Sequence, residues 1–175
     1  MPWRTVEDNA AFFLELRGVS RSKRRAITAK TLKAVGIAEF SKKLPRELSG
    51  GMRQRVGIAR ALIADPQILL MDEPFASVDA QTRMILQELI LSLWEEFKKT
   101  VVFVTHNIEE AILLGDRIAV MTARPGQIKT TISVPFSRPR DPSIRKAKEF
   151  QELEESIWEL LRKEAVRAEL EEIEV

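Results

Sequence analysis

Residues 68–73 read Ile68-Leu69-Leu70-Met71-Asp72-Glu73, a short apolar run that ends in two acids. Consecutive apolar residues between polar neighbours predict a β-strand that is buried on both faces, as in parallel sheets. Ligands of such sheets bind at the carboxyl ends of the strands, where Asp72 and Glu73 lie. Adjacent carboxylates there suit a magnesium–phosphate site, in which one holds the hydrated metal and the other orients or deprotonates a water. Taken alone, the pair is equally well explained as a cap on the following turn.

Alternating helices and strands follow this run. Residues 81–98 carry apolar side chains at helical spacing, and residues 101–104 read Val-Val-Phe-Val, which predicts a second buried strand. A helix at 108–114 and a third strand at 118–121 continue the pattern. The order strand, helix, strand, helix, strand predicts an α/β fold with a parallel sheet.

The outer parts of the sequence are predicted to add helices and one more strand. Three N-terminal helices are expected, at about 5–17, 20–36 (a basic helix) and 52–64. Residues 128–134 alternate well enough for an outer strand, and a proline-rich connector leads to a charged tail. The tail carries one apolar stripe: Phe150, Leu153, Ile157 and Leu161.

Two further features carry candidate chemistry. Ser49-Gly50-Gly51 opens a predicted helix, whose free N–H groups and dipole favour an anion, and glycines permit close approach. Ordinary capping by Ser49 is the simpler explanation of this feature in isolation. His106 is the single histidine, and it follows the second apolar strand, so it is expected level with the two acids. A lone histidine is more often structural than functional.

Composition excludes several classes of function. The 28 Lys and Arg residues nearly balance 26 Asp and Glu residues, and no long block of one sign indicates a nucleic-acid groove. The lack of cysteine excludes disulfides, thiolate metal sites and cysteine nucleophiles. No apolar run approaches the roughly 20 residues that span a bilayer, and no signal-peptide pattern is present. A cytoplasmic α/β protein is therefore expected, and 45% hydrophobic residues suffice for its core.

The features together closely resemble the ABC ATPase family. Leu48-Ser49-Gly50-Gly51-Met52 matches its signature motif, with methionine in place of the commoner glutamine. Leu69 to Pro74 looks like Walker B with the catalytic glutamate, Ala76-Ser77-Val78-Asp79 like the D-loop, and Thr105-His106 like the switch histidine. Gln54 continues the signature helix as in the family.

The resemblance implies cofactors, roles and partners. ATP and Mg²⁺ are the implied cofactors, with Asp72 at the metal and Glu73 and His106 as catalytic residues. The implied nucleotide-binding residues are Ser49, Gly50, Gly51, Gln54 and Asp79. Of these, Ser49, Gly50 and Gly51 are implied to face ATP held by a second subunit, and Asp79 to line the interface between the two sites. The implied partners are a second ATPase subunit in a head-to-tail dimer, a transmembrane permease and, indirectly, a substrate-binding protein. The implied place is peripheral, on the inner face of the cell membrane, without nucleic acid.

A finer resemblance points to one branch of importers. Pro2-Trp3-Arg4-Thr5-Val6 and the stretch from Met121 to Gly126 are similar to the ATPases of nitrate, sulfonate and taurine importers. Bicarbonate and thiamine-precursor importers share much of that pattern. Two alternatives stay open: a catalytically silent interaction protein that docks a permease or pairs with an intact ATPase subunit, and an ABC ATPase of repair or translation. The importer-like stretches argue against the last.

The phosphate-binding pattern G-x-x-x-x-G-K-[ST] is absent from the sequence, because none of its seven glycines is followed by lysine. The resemblance therefore implies a partial, N-terminally truncated P-loop NTPase (RecA-like) fold: a helical subdomain and a parallel-sheet core that lacks the P-loop strand, the Q-loop and the N-terminal β-subdomain. We expect weak binding of Mg-ATP and no hydrolysis by the chain alone. The expected organisation is a helical subdomain at 1–48, the signature, Walker B, D-loop and H-loop part at 49–134, and the connector with a charged helix at 135–175.

Overall fold

The structure is a computed structural model that describes residues 1–173, with side chains described as far as Glu164 and at Val166. The described chain forms two compact units that divide between Val104 and Thr105. The predicted boundaries at 48 and 134 stay a prediction about subdomains. No helix within the described residues is long and apolar enough to cross a membrane.

Four helices dominate the first unit, and three of them begin at a side-chain cap. They are α1 (Val6–Leu16), α2 (Arg21–Ala34), α3 (Gly50–Ile63) and α4 (Ala80–Phe97). Thr5, Ser49 and Asp79 each accept a hydrogen bond from a backbone N–H of the first turn, which satisfies a donor that the helix itself leaves unpaired. The helices predicted from periodicity and caps are confirmed to within a few residues.

The helical part of this unit packs around small and branched side chains. Val6, Ala10, Val35 and Ala59 are fully buried there. Val35 is the C-cap residue directly after α2, and its carbonyl accepts a hydrogen bond from Arg55 Nη1 at 2.7 Å. This contact ties the end of α2 to α3, the helix that carries the signature sequence.

Two parallel strands complete the first unit: β1 (Ile68–Asp72) and β2 (Thr100–Val104), in a register that pairs Asp72 with Val104. The parallel pairing predicted for them is confirmed. The predictions that β1 is buried on both faces and that β2 is a buried strand are wrong: Val102 and Val104 of β2 each expose 50% of their surface. Leu69 and Met71 are buried, whereas Leu70 on the opposite face exposes 73% of its surface, because only one face of the pair packs against helices within this unit.

The second unit is built on an antiparallel pair and a long helix. It contains α5 (Ile108–Leu114), β3 (Arg117–Met121), β4 (Ile128–Ser133) and α6 (Lys148–Ile173). The expectation that β3 extends the parallel sheet is wrong for the described chain: β3 pairs with β4 in a separate two-stranded sheet. The short turn between these strands permits only the antiparallel arrangement.

The predicted apolar stripe of the tail forms the core of this unit. Phe150 and Ile157 of α6 are buried against Ile112, Ile118 and Val120, with Leu153 and Leu161 packed beside them. The stripe prediction is therefore confirmed.

A buried arginine fixes the end of α5 in the second unit. The guanidinium of Arg140 donates to the carbonyls of Leu113, Gly115 and Phe136 and to Asp116 Oδ1, at 2.6–3.2 Å. The single guanidinium therefore hydrogen-bonds to carbonyls at the end of α5 and also to the carbonyl of Phe136, in the segment after β4.

Candidate functional site

Asp72 and Glu73 lie at the carboxyl end of β1, as predicted, and both side chains are exposed. The backbone N–H of Glu73 donates to Val104 at 2.9 Å and so extends the parallel ladder beyond the strand. Glu73 has φ of 41°, in the left-handed region that non-glycine residues rarely adopt. Behind it Phe75 is buried, with its ring 5.6 Å from that of Phe103. The buried ring of Phe75 thus anchors the chain next to Glu73, whose backbone is strained and whose carboxylate is exposed at the end of β1.

The end of β1 suits a metal ion that is coordinated partly by phosphate better than one that is coordinated by protein ligands alone. Asp72 presents a carboxylate at the strand end, and no group of three or more His, Cys, Asp or Glu side chains that could hold a metal is found within the described residues. Mg²⁺ commonly takes one or two carboxylates together with phosphate oxygens and waters. Asp72 is the residue that would hold it here.

The predicted anion site is the N-terminus of α3. Ser49 caps the helix, with its Oγ accepting from the N–H of Met52 at 3.2 Å. The simpler explanation of the serine, capping, is therefore confirmed. The serine is also exposed, so capping leaves the start of the helix accessible to an anion. Gln54 lies one turn after Gly50 on the same helix face and is half-buried.

The two glycines of α3 have different surroundings. A β-carbon on Gly51 would stand 2.4 Å from Cγ2 of Thr82, in the first turn of α4, so this position needs glycine for packing alone. A β-carbon on Gly50 would meet nothing closer than 3.9 Å, at the carbonyl of Ser77 and at Val78. Packing within the unit therefore gives no reason for glycine at Gly50, and a ligand has room to approach its backbone.

The D-loop stretch runs beside this helix start and ends in a cap of its own. Asp79 Oδ1 accepts from the N–H of Thr82 at 2.9 Å, and Oδ2 accepts from its hydroxyl at 2.6 Å. These two hydrogen bonds, the one from the hydroxyl first, lower the pKa of the Asp79 carboxyl. The structure thus gives Asp79 a local role as the N-cap of α4, and it brings the predicted residues Ser49 to Gly51 and Asp79 into one neighbourhood.

His106 belongs to the second unit and is exposed. Thr105 Oγ1 donates to the carboxylate of buried Glu110 at 2.7 Å and accepts from the N–H of Asn107 at 3.0 Å. Asn107 in turn caps α5 by accepting from the N–H of Glu110 at 3.0 Å. The residues on both sides of the imidazole are therefore fixed. Its predicted place beside the strand-end acids stays a prediction.

Two residues of this arrangement were not singled out from the sequence. Thr82 escaped notice because its contact with Gly51 is made between distant parts of the chain. Glu110 had a local signal, since Asn107 followed three residues later by Glu110 is the spacing of a helix cap.

Comparison with known proteins identifies the class. Residues 1–76 match the family model described as ABC transporter. The chain is 50% identical over 168 residues to an uncharacterized ABC transporter ATP-binding protein of Methanocaldococcus jannaschii, covering 96% of this chain and 62% of that protein. It is 46% identical over 166 residues to the taurine import ATP-binding protein TauB of Rhizobium johnstonii, covering 92% of this chain and 63% of that protein.

A solved structure agrees in fold. It is an inward-facing conformation of an ABC transporter assigned to the metal-chelate type, with a TM-score of 0.67 and 21% identity, covering 75% of this chain and 53% of that chain. The predicted resemblance to ABC transporter ATP-binding proteins and the predicted fold class are thus confirmed. It spans somewhat over 60% of the length of the two relatives described above, at 62% and 63%.

Proposed function

We propose that the chain acts in an ATP-binding subunit of an ABC importer for taurine, sulfonate, nitrate or a similar small anion. The observation that carries the proposal is the accessible start of α3, where Ser49 caps the helix and Gly50 has no packing reason to be glycine. A relative at 46% identity is a taurine import ATP-binding protein, which supports the substrate class.

The site residues have separate proposed roles. Glu73 takes a proton from the water that attacks the terminal phosphate, and its strained backbone holds the carboxylate at the strand end. Asp72 is the residue that would hold Mg²⁺, which would supply neutralisation of phosphate charge there. His106 contacts the γ-phosphate from a loop that Glu110 and Asn107 fix.

The start of α3 serves a nucleotide held by a partner subunit in this proposal. Ser49 and the N–H groups of Gly50 and Gly51 bring partial positive charge to a triphosphate only when two subunits close head to tail. Gln54 lies on the same helix face, and Asp79 lines the interface beside it. Nucleotide binding is thereby coupled to closure of the pair and, through it, to a membrane permease.

A mixing experiment tests the proposal. The chain is added to a complete ATP-binding subunit of a taurine-type importer whose own signature serine is replaced by arginine, and ATP hydrolysis is measured. We expect hydrolysis to be restored, and to be lost again when the added chain carries Ser49→Arg. The matched control is Ser92→Arg, an exposed serine of α4 whose hydroxyl donates to Leu89.

The outcome also decides between two classes of function. Restored hydrolysis that survives Ser92→Arg but not Ser49→Arg supports a working signature site. Association of the two chains without any hydrolysis would overturn the proposal and favour a catalytically silent protein that pairs with an ATPase subunit.

A further inference from the structure

The helix α2 is unlike the other helices of the protein in its charge. Its fourteen residues include six cations and no acid: Arg21, Lys23, Arg24, Arg25, Lys30 and Lys33. All six are exposed except Arg24, which is half-buried. Within the described part of the chain none of them forms an ion pair, and the nearby carboxylate of Glu15 is bound to Arg4 at 2.6 Å. Apart from the electrostatic interaction of Arg24 with Glu15, the positive charge of α2 is not compensated by an ion pair within the described part of the unit.

The cations are arranged on the outside of the unit. Thr28, Thr31 and Leu32 form the buried stripe of α2. Lys23, Lys30 and Lys33 lie on the opposite side: at about 100° per residue they fall within an arc of roughly 80°, which is centred opposite the mean direction of the buried stripe. A row of lysines about 15 Å long, at 1.5 Å per residue, thus points away from the protein.

The end of α1, just before α2 in the sequence, adds an apolar group. Leu16 is the last residue of α1 and exposes 69% of its surface. An exposed leucine five residues before a cationic helix is a combination by which surface helices bind lipid headgroups, with charge attracting the anionic layer and the apolar group entering it.

We infer that α2 and the turn before it rest on an anionic membrane surface. This surface contact goes beyond the proposed function and does not depend on nucleotide binding. Two observations favour headgroups over a nucleic acid: the lysines form an outward row and not a groove, and α2 carries no aromatic side chain on which a base would stack. Lipid contact gives the subunit a second hold on the membrane besides any permease.

Sedimentation with vesicles tests the inference. We expect the chain to sediment with vesicles of phosphatidylcholine and phosphatidylglycerol in equal parts, and not with phosphatidylcholine alone. The variant Lys23→Gln/Lys30→Gln/Lys33→Gln should bind about a hundredfold more weakly at low salt, since each cation near such a surface contributes about a factor of five. Glutamine preserves helix propensity, and circular dichroism of the variant confirms that it is folded.

The matched control removes the same charge elsewhere. Lys148→Gln/Arg162→Gln/Lys163→Gln takes three exposed cations from α6, where Lys148 and Lys163 pair with Glu152 and Glu159. This variant should bind within a few-fold of the parent. Equal losses in both variants would reduce the effect to net charge and overturn the inference. Equal binding to phosphatidylcholine, or displacement of the vesicles by a DNA duplex at equal phosphate concentration, would also overturn it.

Discussion

Gly51 and Thr82 are in such close contact that the first helical turn of α3 has no room for a β-carbon opposite α4. The Cγ2 atom that blocks it belongs to a threonine whose hydroxyl donates to Asp79 at 2.6 Å. Rotation of the threonine to make room would break that hydrogen bond. The second glycine of the signature sequence is therefore required by packing, independently of any nucleotide.

A double-mutant cycle tests this contact. Gly51→Ala alone should lower the free energy of unfolding by about 1–3 kcal/mol, because the added methyl overpacks the contact. In a Thr82→Ser background, which keeps the hydroxyl and removes Cγ2, the same change should be neutral or raise stability by up to about 1 kcal/mol through helix propensity. Urea titration measures all four proteins, and additive effects would contradict the contact.

The backbone strain at Glu73 gives a second prediction. Glu73→Gly should raise the free energy of unfolding by about 1 kcal/mol relative to Glu73→Ala, because glycine adopts positive φ without the cost that alanine retains. Both variants remove the same carboxylate, so their difference isolates the backbone. Equal stability of the two variants in urea would show that the strain has no energetic consequence.

Arg140 offers a test of the second unit. Arg140→Lys should destabilise by about 3 kcal/mol, since an ammonium cannot reach the carbonyls and the carboxylate that the buried guanidinium serves together. Arg162→Lys, at an exposed position of α6, is the control and should stay within about 0.5 kcal/mol of the parent. Thermal unfolding compares them, and equal melting temperatures would remove the role given to Arg140.

The cap of α4 should make stability depend on pH. The pKa of Asp79 is lowered in the folded protein by its hydrogen bonds to Thr82, so its stabilising effect is present above the ordinary aspartate pKa. That effect is lost as the pH falls through the lowered value. The stability difference between the parent and Asp79→Asn should therefore be larger at neutral pH than at about pH 3, below the ordinary value of about 3.9. A constant difference in urea titrations would contradict this assignment.

Local signals made the helices predictable from the sequence, and contacts between distant residues set the limit. Ser49 marks a helix start by its residue type, and apolar spacing gives the lengths of the helices. The exposed face of β1 was missed because a continuous apolar run looks the same whether or not its second face is covered. The antiparallel partner of β3 was missed although the short turn after Met121 indicated it.

The same distinction, between local signals and contacts of distant residues, applies to the candidate site. Residue type and order were sufficient to find Asp72, Glu73 and Ser49, because strand ends and helix starts are local features. The separate reasons for glycine at Gly50 and Gly51 came only from the structure, since they depend on what packs against each one.

The last prediction concerns the loop that carries His106. Thr105→Val keeps the shape of the side chain and removes the hydroxyl that donates to Glu110 and accepts from Asn107. A buried carboxylate then loses a donor, so the free energy of unfolding should fall by about 1–3 kcal/mol. The loop should also loosen around the imidazole.

The single histidine of the sequence makes that loosening directly measurable, because its ring protons give the only imidazole signals in a proton NMR spectrum. In Thr105→Val these signals should shift and change in width, whereas Thr131→Val, at an exposed position of β4, should leave them unchanged. A loss of stability with unchanged imidazole signals would show that Thr105 and Glu110 stabilise α5 but do not position the imidazole. Changed signals establish that the two residues set the position of the imidazole itself.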